Sequence, residues 1–277
     1  MMTVERPADL PQFDNPPIDE VVLGLQYAPI PNWNDTSVAR YRSAIETDFP
    51  TIQYQPRLDT PVEQLTGLTM MAVFPAGQPP PLGRTWLINS EDDEVIQLQN
   101  DRFFFNWRHR QTPYPRFGIV HQKFWQRYGQ LKDVLQAEGL PLPQPQQVEI
   151  TYINWIRGMS MPEFLLPASS TRLSLPMIEG FPEQQQWAAS YLIRRGSTPI
   201  ARLALQCSSA MRLLPDNPSG TEPQFGVQFV LVARAPLPPA PTDEQITELM
   251  QVGRSAIVRV FNELTTPEAH DRWVPST

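Results

Sequence analysis

The sequence predicts an α+β fold of two pseudo-repeated halves, each a mainly antiparallel sheet backed by a long helix. Three observations predict it. Short runs alternate apolar and polar residues with a period of two, two long stretches carry helical spacing near the ends of residues 1–142 and 143–277, and proline-rich connectors separate the periodic segments. The joint falls at LPLPQPQQ, and element order alone carries the repeat, because the two halves share no residue-level identity.

In order, PIDEVVLGLQYAP opens the first half as a strand with Val21, Leu23, Leu25 and Tyr27 on one face. Asp35 or Thr36 caps a helix through about Phe49, where Val38, Tyr41 and Ile45 recur at helical spacing. TIQYQ is a short strand, LTMMAVF a further apolar segment, and RTWLIN a strand that runs into the acidic turn Glu91, Asp92, Asp93 and Glu94. Asn100 and Asp101 tolerate the backbone angles of a tight turn, so VIQLQ and RFFFNWR form an antiparallel hairpin. That register sets Leu98 opposite Phe103 and Ile96 opposite Phe105, with Trp107 on the same apolar face. Gln97, Gln99, Arg102, Phe104, Asn106, Arg108 and Arg110 take the other face. A long helix from about Arg116 to Glu138 then buries Phe117, Val120, Phe124, Tyr128, Leu131 and Leu135, and Gly139 followed by Pro141 ends it.

The second half repeats the plan. VEITYINWI, QQWAASYLIRR, PIARLALQCSSAM and FGVQFVLVAR are strands, with a turn at Gly196 and Ser197. A helix from about Asp243 to Leu264 closes it, its stripe made by Ile246, Met250, Val258 and Phe261.

Composition narrows the chemistry. A single cysteine, Cys207, excludes an intramolecular disulfide and any zinc site built from several cysteines, which fits a reducing, cytoplasmic setting. The N-terminus lacks a secretory pattern and the longest apolar runs fall well short of the ~18 residues of a membrane span, so no membrane partner is expected. The net charge of -7 argues against charge-driven nucleic-acid binding by the whole molecule. Charge is uneven, however. Arg102, Arg108, Arg110, Arg116, Lys123, Arg127 and Lys132 follow one another with no acidic residue between them, just after the acidic turn.

No catalytic residues, metal ligands or cofactor are assigned. The sequence has no Gly-rich phosphate loop, no GxSxG elbow and no HExxH pair. His109 and His121 would need to meet a carboxylate from elsewhere to hold a metal, and Cys207 in ALQCSSA reads as a small buried residue rather than a nucleophile. The hairpin's polar face, Gln97, Gln99, Arg102, Asn106 and Arg108, is therefore the candidate binding surface, with another protein as the expected partner. Its ordinary duty would be to pair with the acidic turn. Two alternatives stand beside it: nucleic-acid or nucleotide binding through the basic aromatic segment 102–132, and an enzyme whose site is assembled between the two halves from residues such as His109 and His121.

DNPPIDEVVLGLQY, LQNDRFFFNWR followed by TPYPRF, and FNELTTPEAHDRW together resemble a sporadically distributed, uncharacterised family of bacterial proteins of similar length. The resemblance spans nearly the whole chain and is most specific at Gln97 to Arg108 and Tyr114 to Phe117. It brings no activity or catalytic residues. The family's patchy distribution implies mobile genes, and with them a role in a defence or toxin-neutralising module.

Overall fold

A computed structural model describes residues 6–59, 62–65, 83–110, 112–169, 186–212 and 224–274. Along the chain they form β1 (Ile18–Tyr27), α1 (Asp35–Ile45), β2 (Thr51–Gln55), β3 (Arg84–Ile88), β4 (Glu94–Gln99), β5 (Arg102–Arg108) and α2 (Phe117–Ala137). There follow β6 (Pro145–Ile156), α3 (Met161–Phe164), α4 (Leu166–Ser169), β7 (Gln186–Arg195), β8 (Thr198–Arg212), β9 (Gln224–Pro236), α5 (Asp243–Leu264) and α6 (Pro267–Trp273). The apolar segment LTMMAVF lies outside the described residues.

All nine strands join one antiparallel sheet in the order β2-β3-β4-β5-β1-β6-β9-β8-β7. The expectation of a sheet in each half gives way to a single continuous one, because β1 pairs with β6 from Ile18↔Asn154 to Tyr27↔Pro145. The connector at residues 138–144 thus leads from α2 into β6, which pairs with β1 across the middle of the sheet.

Register explains the core. One row crosses the sheet through Leu87, Ile96, Phe105, Leu23, Ile150, Ala233 and Leu203, and every member is buried. The side-chain period of two puts all of them on the face that the helices cover. α2 lies over β5 and β1, where Phe103 meets Phe124 at 5.7 Å and Tyr128 at 5.4 Å between ring centroids. α5 lies over β9, β6 and β8, and its Gly253 lets it approach closely: a Cβ there would come within 2.8 Å of Ile150 Cδ1. Tyr41 of α1 donates a hydrogen bond to the Arg127 carbonyl at 3.0 Å, tying α1 to α2.

The predicted hairpin register is present, including Leu98↔Phe103 and Ile96↔Phe105. So is the buried stripe of α2. Two details differ. α1 is capped by Asn34, whose Oδ1 accepts from the N–H groups of Thr36 and Ser37, and it ends at Ile45 rather than near Phe49. On α5 Ile257 takes the buried place expected of Val258, which is half-buried. No helix among the described residues is long and apolar enough to cross a membrane.

Candidate functional site

The hairpin's polar face is a buried hydrogen-bonded network. Gln97, Gln99, Arg102 and Asn106 are 6, 2, 3 and 2% exposed. Asn106 accepts from Gln97 Nε2 at 2.9 Å and donates to the Glu20 carboxylate, while Gln97 Oε1 accepts from Arg84 at 2.7 Å and the Trp86 indole at 3.1 Å. Burial pushes the Glu20 carboxyl up despite the Asn106 bond and the Arg108 charge. Phe104, which stacking on a base would require to be free, lies across Gly24 and is 5% exposed. A Cβ at Gly24 would fall 2.1 Å from Phe104 Cδ1, so only glycine admits the ring there.

The segment after β2 explains part of this burial. Leu58 donates its N–H to Gln99 Oε1 at 2.7 Å and accepts from Gln99 Nε2 at 3.2 Å. Further on, Glu63 donates its N–H to Gln147 Oε1 at 2.6 Å, and its carboxylate meets Arg202 at 2.8 Å. Residues 57–59 therefore lie beside β4 and residues 62–64 beside β6 and β8 on this face, and Gln99 is engaged in clasping the chain's own backbone.

The basic window is neutralised in the same way. Arg108 and Arg110 meet Asp92, Lys123 meets Glu94, Arg127 meets Asp48 at 2.8 Å, Lys132 meets Asp243 at 3.6 Å and Arg102 lies 3.6 Å from Asp101. The acidic turn is the counter-ion of the hairpin, as its ordinary duty predicted. Arg116 is the exception, with no carboxylate partner among the described residues.

Arg116 leads to a different place. Its guanidinium donates to the Phe13 carbonyl at 2.9 Å, at the mouth of a cavity of about 340 Å³ on the helical side of the sheet. The floor is Ile18 at the start of β1 with Tyr152 and Asn154 of β6, so the cavity sits on the β1–β6 seam. Phe117 of α2 and Ile257 and Phe261 of α5 form the walls. The roof is the N-terminal segment, which Asp14 N–H and Asn15 N–H anchor to the carbonyls of Val274 and Trp273 at 2.8 and 3.0 Å, and which seats Phe13 against Trp273 at 5.6 Å.

Three cations face this hollow. Arg6 and Arg116 are exposed, Arg254 is half-buried, and none pairs with a carboxylate among the described residues. Arg254 stacks on Phe117 at 5.0 Å, and its Nε is buried with no hydrogen-bond partner. Partial burial and the charges of Arg254 and Arg116 hold the Arg6 guanidinium below its usual value. Between them the hydroxyls of Tyr114 and Tyr152 share one hydrogen bond at 3.0 Å. Such a pair has two protons and uses one, so one O–H remains to donate. Among the described residues no acidic side chain lines the cavity.

The other sequence candidates lie elsewhere. His109 is exposed beside Trp107. His121 is buried on α2, accepts from the Trp125 indole at 3.0 Å and is pushed down to about 4 by burial. Cys207 is buried and its thiol is pushed up to about 12, which disfavours the thiolate a nucleophile needs. Among the described residues no three His, Cys, Asp or Glu side chains are grouped to hold a metal ion.

Sequence reasoning missed Arg6, Tyr152 and Arg254 altogether and gave Arg116 only as one base of a run. The available signal was that Asn15 to Pro17 and Tyr114 to Arg116 carried no assigned packing duty. No model of a known protein family and no curated protein matches the chain.

Proposed function

We propose that this chain is a non-enzymatic binding protein that holds a small organic anion in the cavity at the seam of two pseudo-repeated halves, residues 1–142 and 143–277. The carrying observation is the three guanidinium groups, none paired with a carboxylate among the described residues, around a mostly apolar hollow. In a chain of net charge -7 that arrangement calls for a counter-ion from outside. The repeat is supported by strand order: outward from the β1–β6 seam, β5, β4 and β3 on one side answer β9, β8 and β7 on the other, and α2 and α5 follow the innermost pair.

Nucleotide recognition, the alternative drawn from segment 102–132, gains one point of support, since Tyr114, Arg116 and Phe117 of that segment line the cavity. The hairpin face as a docking surface would require its buried network to open. The family resemblance adds the setting, a mobile defence or toxin-neutralising module.

Calorimetric titration with phenylacetate, octanoate and phenyl phosphate tests the reading. Binding of at least one of them by wild type, weakened about tenfold or more in Arg254→Gln, supports it. Equal binding by both proteins, or none by either, removes it.

A further inference from the structure

We infer that the anion is a phosphomonoester carrying a small aromatic or apolar body, with its phosphate among Arg6, Arg116 and Arg254 and its body against Phe13, Phe117 and Phe261. This rests on the anion-site reading above and narrows it.

The argument is one of charge and geometry. A monocarboxylate offers a single negative charge and one bidentate edge, enough for one guanidinium fork, and would leave two cations uncompensated beside an apolar wall. A phosphomonoester carries about -1.5 to -2 charges at neutral pH and three peripheral oxygens, which accept from several forks together. The donors present suit it: three guanidinium groups and the spare proton of the Tyr114–Tyr152 pair.

α2 adds to this field. It is 21 residues long, no side chain caps its N-terminus and its first turn holds no acid, whereas α1 and α5 have both a side-chain cap and first-turn acids. Ile119 and Val120 donate to the Arg116 carbonyl, which leaves the N–H groups of Phe117 and Gly118 without intrahelical partners beside the cavity. The remaining wall is aromatic and aliphatic. Phe13 meets Phe261 edge to face at 6.4 Å, and 340 Å³ accommodates an aromatic ring with its phosphate but no extended polymer.

The test is equilibrium titration of the full chain with phenyl phosphate, phenylacetate and inorganic phosphate, on wild type, Arg116→Gln and an Arg6→Gln/Arg254→Gln double variant, with near-ultraviolet circular dichroism as the check on folding. Phenyl phosphate should bind about tenfold or more tightly than either of the others, and both variants should lose about tenfold or more. If phenylacetate binds as tightly as phenyl phosphate and the variants weaken both, the phosphate inference fails and the anion site stands. If the variants bind phenyl phosphate as wild type does, or nothing binds, both fail. Should Arg116→Gln not fold, Arg6→Gln, at an exposed residue, carries the same comparison.

Discussion

The hairpin face and the seam cavity both gather arginines, yet they end in opposite electrostatic circumstances. In the hairpin each cation meets a carboxylate: Arg108 and Arg110 share Asp92, and Lys123 takes Glu94. Among the described residues Arg116 and Arg6 in the cavity meet carbonyls alone, and Arg254 lies on Phe117 and hydrogen-bonds the Tyr152 hydroxyl. The first arrangement is complete within the described residues and the second is not. Density of charge along a sequence therefore says little about availability, because availability depends on whether the fold supplies the opposite charge.

The difference predicts that the hairpin governs stability and the cavity governs ligand. Asn106→Ala should cost about 4 kcal/mol, since it strands the buried Gln97 amide and Glu20 carboxyl at about 2 kcal/mol each. Urea unfolding reads this directly, and a loss below about 1 kcal/mol would mean the network is incidental. α2 joins the two regions, with Phe117 in the cavity and Lys123 on Glu94, and His121 lies between them. Because His121 is held down to about 4 in the folded chain against an ordinary 6.5, the unfolded chain binds a proton that the folded chain refuses between those values. Its stabilisation is complete above pH 6.5 and is lost as pH falls toward 4, by about 3 kcal/mol. His121→Gln should flatten the acid side of the stability curve, and curves of equal slope for the two proteins would contradict the assignment. Arg108→Ala should cost about 1 kcal/mol, because its partner Asp92 is half exposed, and the loss should shrink at high salt. Smallest is Arg254→Gln: a stability change within about 0.5 kcal/mol, with ligand affinity lost. A large drop in thermal midpoint for that variant would place Arg254 with the hairpin arginines as architecture.

Much of the fold was legible because its signals are local. The hairpin register follows from two-residue alternation and the Asn100–Asp101 turn, and α5 follows from its periodic stripe. Where adjacent residues compete, tertiary geometry decides. Asn34, Asp35 and Thr36 can each cap a helix, and Asn34 prevails because its own backbone is extended at φ -149°. Ile257 and Val258 sit 100° apart on α5, and the sheet selects the former. Alternation gave Gln97, Gln99, Arg102 and Asn106 a common face, but nothing local told that Arg57 and Leu58 lie over part of it. The cavity was illegible for a stronger reason. Arg6, Arg116 and Arg254 are brought together only by the pairing of β1 with β6 and by the fold-back of the N-terminal segment onto α6.

That central pairing also sets a schedule for synthesis. β1 leaves the ribosome early and finds β5 within its own half, but its other edge must wait for β6, whose first residue comes more than a hundred positions later. At typical elongation rates this is roughly ten seconds, during which a ten-residue strand with Val21, Leu23 and Leu25 on one face stands as an open edge. A ribosome paused after residue 142 would present a nascent chain whose innermost strand is a template for its neighbours on the same message, and release from that hazard coincides with the emergence of Pro145–Ile156.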